Sequence, residues 1–168
     1  EVIDEWIEDR LQCRYIVVTG MHGAMEARKR PDFKEIVDAS SLFVPDGFSL
    51  VAVAKMRGFK INKRVCGSDL LWETCRHAEL KGHSLFFYGD TDETLDALTT
   101  KLLMSFPNLK IAGVHSPPFR ALTYLEDEEE VKMINSSGAD ILWVGLGLPK
   151  QERWIFEHRN NLDVPVAI

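Results

Sequence analysis

Six short apolar runs separated by stretches of helical periodicity limit this chain to few architectures. The runs are Tyr15-Ile16-Val17-Val18, Leu42-Phe43-Val44, Ser84-Leu85-Phe86-Phe87-Tyr88, Lys110-Ile111-Ala112-Gly113-Val114, Ile141-Leu142-Trp143-Val144 and Val164-Pro165-Val166-Ala167-Ile168. Their apolar residues run on continuously where a strand with one wet face would alternate, so these strands are expected to be buried on both faces. Between them, Val2, Ile3, Trp6, Ile7 and Leu11 recur at helical spacing, as do Leu95, Leu98, Leu102 and Leu103 in Thr91–Phe106. Further helices are predicted over Ala24–Arg30, from Pro31 onward, over Phe48–Met56, over Asp69–Leu80 with Gly82 as its C-cap, and over Lys150–Asn160. The acidic run Glu126–Glu130 reads as the solvated start of another helix. Strand and helix in alternation specify an α/β fold, Rossmann-like, with a largely parallel sheet covered by helices on both faces. At 168 residues, one domain spanning 1–168 is expected.

Composition narrows the function classes. Twenty Lys and Arg against 26 Asp and Glu give a net charge of −6, so no nucleic-acid partner is expected. No apolar run approaches the ~18–20 residues of a spanning helix, and the start Glu1-Val2-Ile3-Asp4-Glu5 lacks a basic signal-peptide region, which reads as cytosolic. Cys13, Cys66 and Cys75 are widely spaced and form no CxxC pair; Cys13 and Cys66 sit among apolar residues and read as buried, inert thiols.

In a parallel sheet of this kind ligands bind at the carboxyl ends of the strands, which selects Thr19–Gly23, Pro45–Gly47, Tyr88–Asp92 and Gly145–Gln151. In Gly145-Leu146-Gly147-Leu148-Pro149-Lys150-Gln151 the glycines permit close backbone approach, Pro149 suits a first helical position, and Lys150 and Gln151 can reach an anion or a sugar hydroxyl; plain turn-and-cap chemistry is the competing account. Asp46, between Pro45 and Gly47, can project a carboxylate into the crevice as a general base, or satisfy its own turn. His22 is either a base or a helix-start histidine, and Arg64 binds phosphate, pairs with Asp46 or is a surface arginine. Asp90-Thr91-Asp92 matches a short metal-diphosphate pattern, but Asp90 as an N-cap with Glu93 as its capping-box partner covers the same residues and is favoured, so no metal site is expected. No GxxxxGK[ST], GxSxG or HExxH occurs.

Several ordered blocks then carry a resemblance: Thr19-Gly20-Met21-His22-Gly23-Ala24-Met25-Glu26-Ala27, Pro45-Asp46-Gly47, Arg64-Val65-Cys66-Gly67-Ser68-Asp69-Leu70, Phe87-Tyr88-Gly89, Ser116-Pro117-Pro118-Phe119, Ile134-Asn135 and Val144 through Trp154. Together, from Tyr15 to Ile168, they resemble the WecG/TagA/CpsF family of bacterial glycosyltransferases. The resemblance implies an inverting, metal-independent enzyme without a cofactor. It would move a sugar, typically N-acetylmannosamine, from a UDP-sugar to a polyprenyl-diphosphate-linked acceptor at the cytoplasmic membrane face, in cell-surface polysaccharide or teichoic acid synthesis.

On the same basis Asp46 is the general base and Thr19 helps place the sugars, with Arg64, Gln151, His22 and Gly20 at substrate-contact positions. Tyr88, Gly89, Gly145, Gly147, Pro149 and Lys150 fall at nucleotide-contact positions. Two departures stand out. Many relatives have Thr-Pro-Asn or a similar sequence where this chain has Thr19-Gly20-Met21-His22, and the family continues past Val166-Ala167-Ile168 into a glycine-rich segment and a basic tail. Membrane contact is therefore expected through that tail, with negligible binding of residues 1–168 to anionic liposomes; homo-oligomer formation is left open. A nucleotide-sugar-binding domain without turnover is the alternative from another functional class.

Overall fold

Neighbouring side chains along each inner strand part to opposite faces, and both faces are dry. The computed structural model describes residues 2–61 and 64–168, so the acidic start at Glu1 falls outside it. Among the described residues the order is α1 (Val2–Asp9), β1 (Arg14–Thr19), α2 (Met21–Lys29), α3 (Pro31–Asp38), β2 (Leu42–Pro45), α4 (Phe48–Met56) and α5 (Gly67–Lys81), followed by β3 (Ser84–Gly89), α6 (Asp92–Ser105), β4 (Lys110–His115), α7 (Tyr124–Ser136), β5 (Ile141–Gly145), α8 (Lys150–His158) and β6 (Val166–Ala167).

The six strands form one sheet in the order β2-β1-β6-β5-β3-β4, with every adjacent pair parallel. Tyr15, Val17, Phe86, Tyr88, Leu142, Val144 and Ala167 point to one face and join Phe33 and Ile36 of α3, Val131 and Ile134 of α7, and Trp154 and Ile155 of α8. Their sequence neighbours Ile16, Leu85, Phe87, Ile141 and Val166 point to the other and meet Ile7 of α1, Cys75 and Ala78 of α5, and Leu95 and Leu102 of α6. The two-residue strand period thus feeds two cores at once, the physical reason for continuous apolar runs. Each large side chain fully withdrawn from water, such as Phe33 or Phe87, contributes roughly 1.5–3 kcal/mol.

Local signals set the boundaries. Pro31 opens α3, and Gly82 ends α5 in the left-handed conformation at φ 77°. Gly113 lies where the β3–β4 register slips; a Cβ there would sit 2.6 Å from the Phe86 ring. Between α4 and α5 the segment Arg64-Val65-Cys66 is not a strand, although the Val65 amide donates to the Pro45 carbonyl at 3.2 Å and runs it past the end of β2.

Candidate active site

The chain leaves β3 toward β4 on one side and leaves β5 toward β6 on the other, so the crevice opens at the carboxyl ends of β3 and β5. Glycine is required there. A Cβ at Gly89, whose φ is +122°, would lie 2.5 Å from the Gly145 carbonyl oxygen, and the Asp90 amide donates to that oxygen at 3.1 Å. The two strand exits are thereby pressed backbone to backbone.

A cavity of about 850 Å³ opens over this junction, within the range of small-molecule sites. Tyr88, Gly145, Gly147, Lys150 and Trp154 line it, together with the 117–124 segment after β4. Its inner wall is aromatic: the Tyr88 and Trp154 ring centroids are 4.6 Å apart, and Trp154 stacks on His158 at 4.5 Å. Lys150 Nζ lies 5.8 Å from the Phe119 ring centroid and makes no ion pair among the described residues. Arg120, the cation of the 117–124 segment, is held by Glu126 at 2.6 Å.

Tyr88 is fixed from behind. Its hydroxyl donates to Glu130 Oε2, and His115 Nε2 lies 3.3 Å from Glu130 Oε1. Burial, reinforced by the Glu130 carboxylate, pushes the Tyr88 phenol far above its ordinary pKa, so it remains a neutral donor. Glu130 is 5% exposed, which corrects the reading of Glu126–Glu130 as wholly solvated: α7 turns this one carboxylate inward beside Val131 and Ile134. Glu126 does open the helix, in a capping box with Thr123.

A second cavity, of about 280 Å³, lies on the other side of the β5 exit and is lined by Asp46, Gly67, Ser68, Gln151, Glu152 and Gly145. Gly145 therefore borders both cavities. Asp46 is held at the mouth of α5, where the Gly67 amide donates to its Oδ2 at 3.4 Å, while its own amide donates to the Thr19 carbonyl at 2.9 Å. Gln151 Oε1 accepts the Gly147 amide at 3.0 Å, and its Nε2 reaches Glu152 Oε1 at 3.4 Å. Glu152 is 3% exposed, its Oε2 has no hydrogen-bond partner among the described residues, and burial raises its pKa.

The expected site residues divide accordingly. Asp46 and Gln151 share the smaller cavity, whereas Tyr88, Gly145, Gly147 and Lys150 share the larger. Gly20 backs onto Asp46, since a Cβ would sit 2.5 Å from its carbonyl oxygen. Thr19 is buried at the end of β1, packed under Gly23 of α2, and lines neither cavity. His22 is exposed on α2, and Arg64 is exposed just past the end of β2; neither lines a cavity. Pro149 is the N-cap of α8 instead of its first residue.

Two further expectations need correcting. The N-cap of α6 is Thr91, whose side chain accepts from the Thr94 amide, because Asp90 takes a left-handed backbone (φ 56°) and turns its Oδ1 onto the Thr91 amide. Cys66 is half-exposed, not buried, and the neighbouring Ser68 lowers its pKa, while burial pushes Cys13 and Cys75 up to about 12. Among the described residues no three His, Cys, Asp or Glu side chains are grouped to hold a metal ion. Trp154, Glu130 and Glu152 were not singled out from the sequence; only the aromatic character of Trp154 beside the glycine loop hinted at a role.

Comparison with known proteins places the chain in a family. The N-acetylglucosaminyldiphosphoundecaprenol N-acetyl-beta-D-mannosaminyltransferase of Bacillus spizizenii strain W23 is 28% identical over 161 residues, covering 95% of this chain and 60% of that protein. The protein of that name from Bacillus subtilis strain 168 is 28% identical over 146 residues (86% of this chain, 55% of its own). Its counterpart in Staphylococcus aureus strain NCTC 8325 is 31% identical over 136 residues (81% and 52%). The chain spans between half and two-thirds of the length of these relatives. The family model described as "Glycosyl transferase WecG/TagA/CpsF family" matches residues 1–168, and the chain belongs to that family.

Proposed function

We propose that this chain is the catalytic core of an inverting glycosyltransferase that moves a sugar, N-acetylmannosamine in the leading case, from a UDP-sugar to a polyprenyl-diphosphate-linked acceptor. The observation that carries this reading is Gly145, one residue bordering an aromatic-walled cavity on one side and a carboxylate-bearing cavity on the other. Inversion needs that separation, because the attacking hydroxyl and the departing diphosphate lie on opposite faces of the transferred sugar. The relatives' name describes transfer of N-acetylmannosamine to a diphosphoundecaprenol-linked sugar, which agrees with the reading.

In this mechanism the uracil and ribose lie against Tyr88 and Trp154, and the diphosphate lies over the Gly145–Gly147 turn near Lys150. The acceptor hydroxyl enters the smaller cavity and attacks C1 of the sugar. Its oxygen forms the new bond to C1, its proton passes to Asp46, and the C1–O bond to the β-phosphate breaks with its electron pair leaving on UDP. The Lys150 ammonium offsets the charge gained by that phosphate. Gln151, spanning the Gly147 amide and Glu152, holds the partition between the sites in shape. In this reading Thr19 and Gly20 back the Asp46 side from within the fold and His22 and Arg64 belong to its outer margin, with Gly89 and Pro149 shaping the nucleotide turn. A lipid-linked acceptor supports a reaction at a membrane face, the cytoplasmic one in this reading; among the described residues no helix is long and apolar enough to cross a membrane.

Titrating the chain with UDP by calorimetry, and assaying transfer from UDP-N-acetylmannosamine to a short-chain polyprenyl-diphosphate-linked N-acetylglucosamine, tests the proposal. Micromolar UDP binding lost on Trp154→Ala supports it. Absence of UDP binding by a folded chain overturns it.

A further inference from the structure

The helix that follows Asp46 is poorly explained by the core. Seven of the nine residues of α4 are apolar (Phe48, Leu50, Val51, Ala52, Val53, Ala54 and Met56), yet only Val51 is buried. Phe48 is 78% exposed, Met56 87% and, in the turn beyond, Phe59 64%. An exposed apolar patch of this kind normally marks a contact surface.

Its charge is as unusual as its hydropathy. From Gly47 to Ser68 there is not one Asp or Glu, in a chain that has 26 of them. Lys55, Arg57, Lys60 and Arg64 are all exposed and make no ion pair among the described residues. Phe119, Tyr124 and Leu125 are also exposed, but there Arg120 is paired with Glu126, Lys150 lies over the Phe119 ring at the larger cavity, and Tyr124 and Leu125 open the acidic first turn of α7.

We propose that α4 and the turn to Lys60 form a membrane-contact surface that seats on anionic lipid headgroups, with Phe48, Met56 and Phe59 entering the interface and Lys55, Arg57 and Lys60 lying among the phosphates. Apolar side chains framed by cations are the combination that holds a peripheral element at such an interface. A second copy of this chain fits less well: a two-fold contact through the patch would set unpaired cations against their own images. Charge complementarity also argues against a general protein partner, since the patch holds no acid to fix one orientation. The surface starts two residues after Asp46, so docking would bring the smaller cavity to the headgroup level. That last point rests on the proposed function; the docking itself does not.

This proposal is opposite to the expectation that residues 1–168 ignore anionic liposomes, and one experiment decides between them. The test is co-sedimentation of the chain with vesicles of 30% phosphatidylglycerol in phosphatidylcholine, against pure phosphatidylcholine, at low and at 0.5 M salt (probe conditions on the order of those where surface charge is first exposed and then screened). Binding to the anionic vesicles only, weakened at high salt, and reduced at least about tenfold both by Met56→Ala/Phe59→Ala and by Lys55→Glu/Arg57→Glu, is expected. Unchanged melting curves confirm that the variants are folded. No binding by the parent chain, or equal binding by folded variants, overturns the proposal. So does sedimentation equilibrium showing a dimer that the Met56→Ala/Phe59→Ala pair dissolves without any vesicle binding. Vesicle binding as expected in a chain that binds no UDP would leave the surface standing and remove the glycosyltransferase reading alone.

Discussion

The Gly67 amide points at the carboxylate of Asp46 across 3.4 Å, joining the first turn of α5 to the exit of β2. Asp46 is held from two elements, since its backbone amide is also bonded to Thr19. Its position is therefore a property of the fold and not of a loose turn. Asp46→Asn keeps the shape and removes the base. Transfer is expected to fall ~10²–10⁴-fold, the usual range for loss of general-base catalysis, with UDP affinity unchanged. Steady-state kinetics alongside calorimetry measure both, and unaltered turnover would take Asp46 out of the mechanism.

UDP binding is expected to persist in excess EDTA. Asp90 is engaged with the Thr91 amide, and Lys150 lines the larger cavity with no acid partner among the described residues. Lys150→Met should weaken UDP at least about tenfold, the worth of one charge-assisted contact. Collapse of binding on chelation would reassign the diphosphate to a metal.

Gly89→Ala tests the pressed strand exits. The added methyl meets the Gly145 backbone and the residue must hold φ +122°, so a loss of roughly 1–3 kcal/mol is expected, accompanied by weaker UDP binding. Urea unfolding with and without nucleotide separates the two effects.

Acid should loosen α1. Burial alone would raise the pKa of Asp4, but hydrogen bonds from His77 and His83 outweigh it and hold the carboxyl well below its usual range. A pKa depressed in the folded state contributes stability that is complete above the unfolded value of about 4 and is lost as pH falls below it. Unfolding followed between about pH 5 and 2 should show a steeper decline for the parent than for Asp4→Asn, and parallel curves would refute the linkage.

Glu152 has the opposite sign. Its pKa is raised by burial, so its contribution is present below the unfolded value and lost as pH rises through the folded one. Glu152→Gln is expected to stabilise the chain at pH 8 by ~1 kcal/mol, the scale of relieving an unpaired buried polar atom, and to make little difference at pH 4. Melting curves at the two pH values decide it.

Much of the scaffold was legible because strands such as Ile141–Val144 are apolar at every position and helices such as Thr91–Phe106 carry their own periodicity. Strand order was not, since β6 lies between β1 and β5 through pairings of residues more than 20 apart in sequence. The glycine loop and Asp46 were readable from local turn chemistry. Glu130 was not, because its partners Tyr88 and His115 lie 42 and 15 residues away and nothing in an acidic run marks the one member that turns inward. Asp90 and Thr91 compete for one cap, and the winner is decided by the Gly145 carbonyl, which takes the Asp90 amide.

The position of β6 also bears on how the molecule assembles. Val166 and Ala167 pair with Arg14 and Tyr15 on one side and with Ile141 and Leu142 on the other, and the Arg14 amide donates to Pro165. Until those residues emerge during synthesis, the β2–β1 pair and the β5–β3–β4 trio are separate half-sheets, each with an apolar edge awaiting the other. Closure is thus a late, long-range event, and a nascent chain lacking residues 165–168 would expose two adhesive edges that a chaperone, or another unfinished copy, could capture.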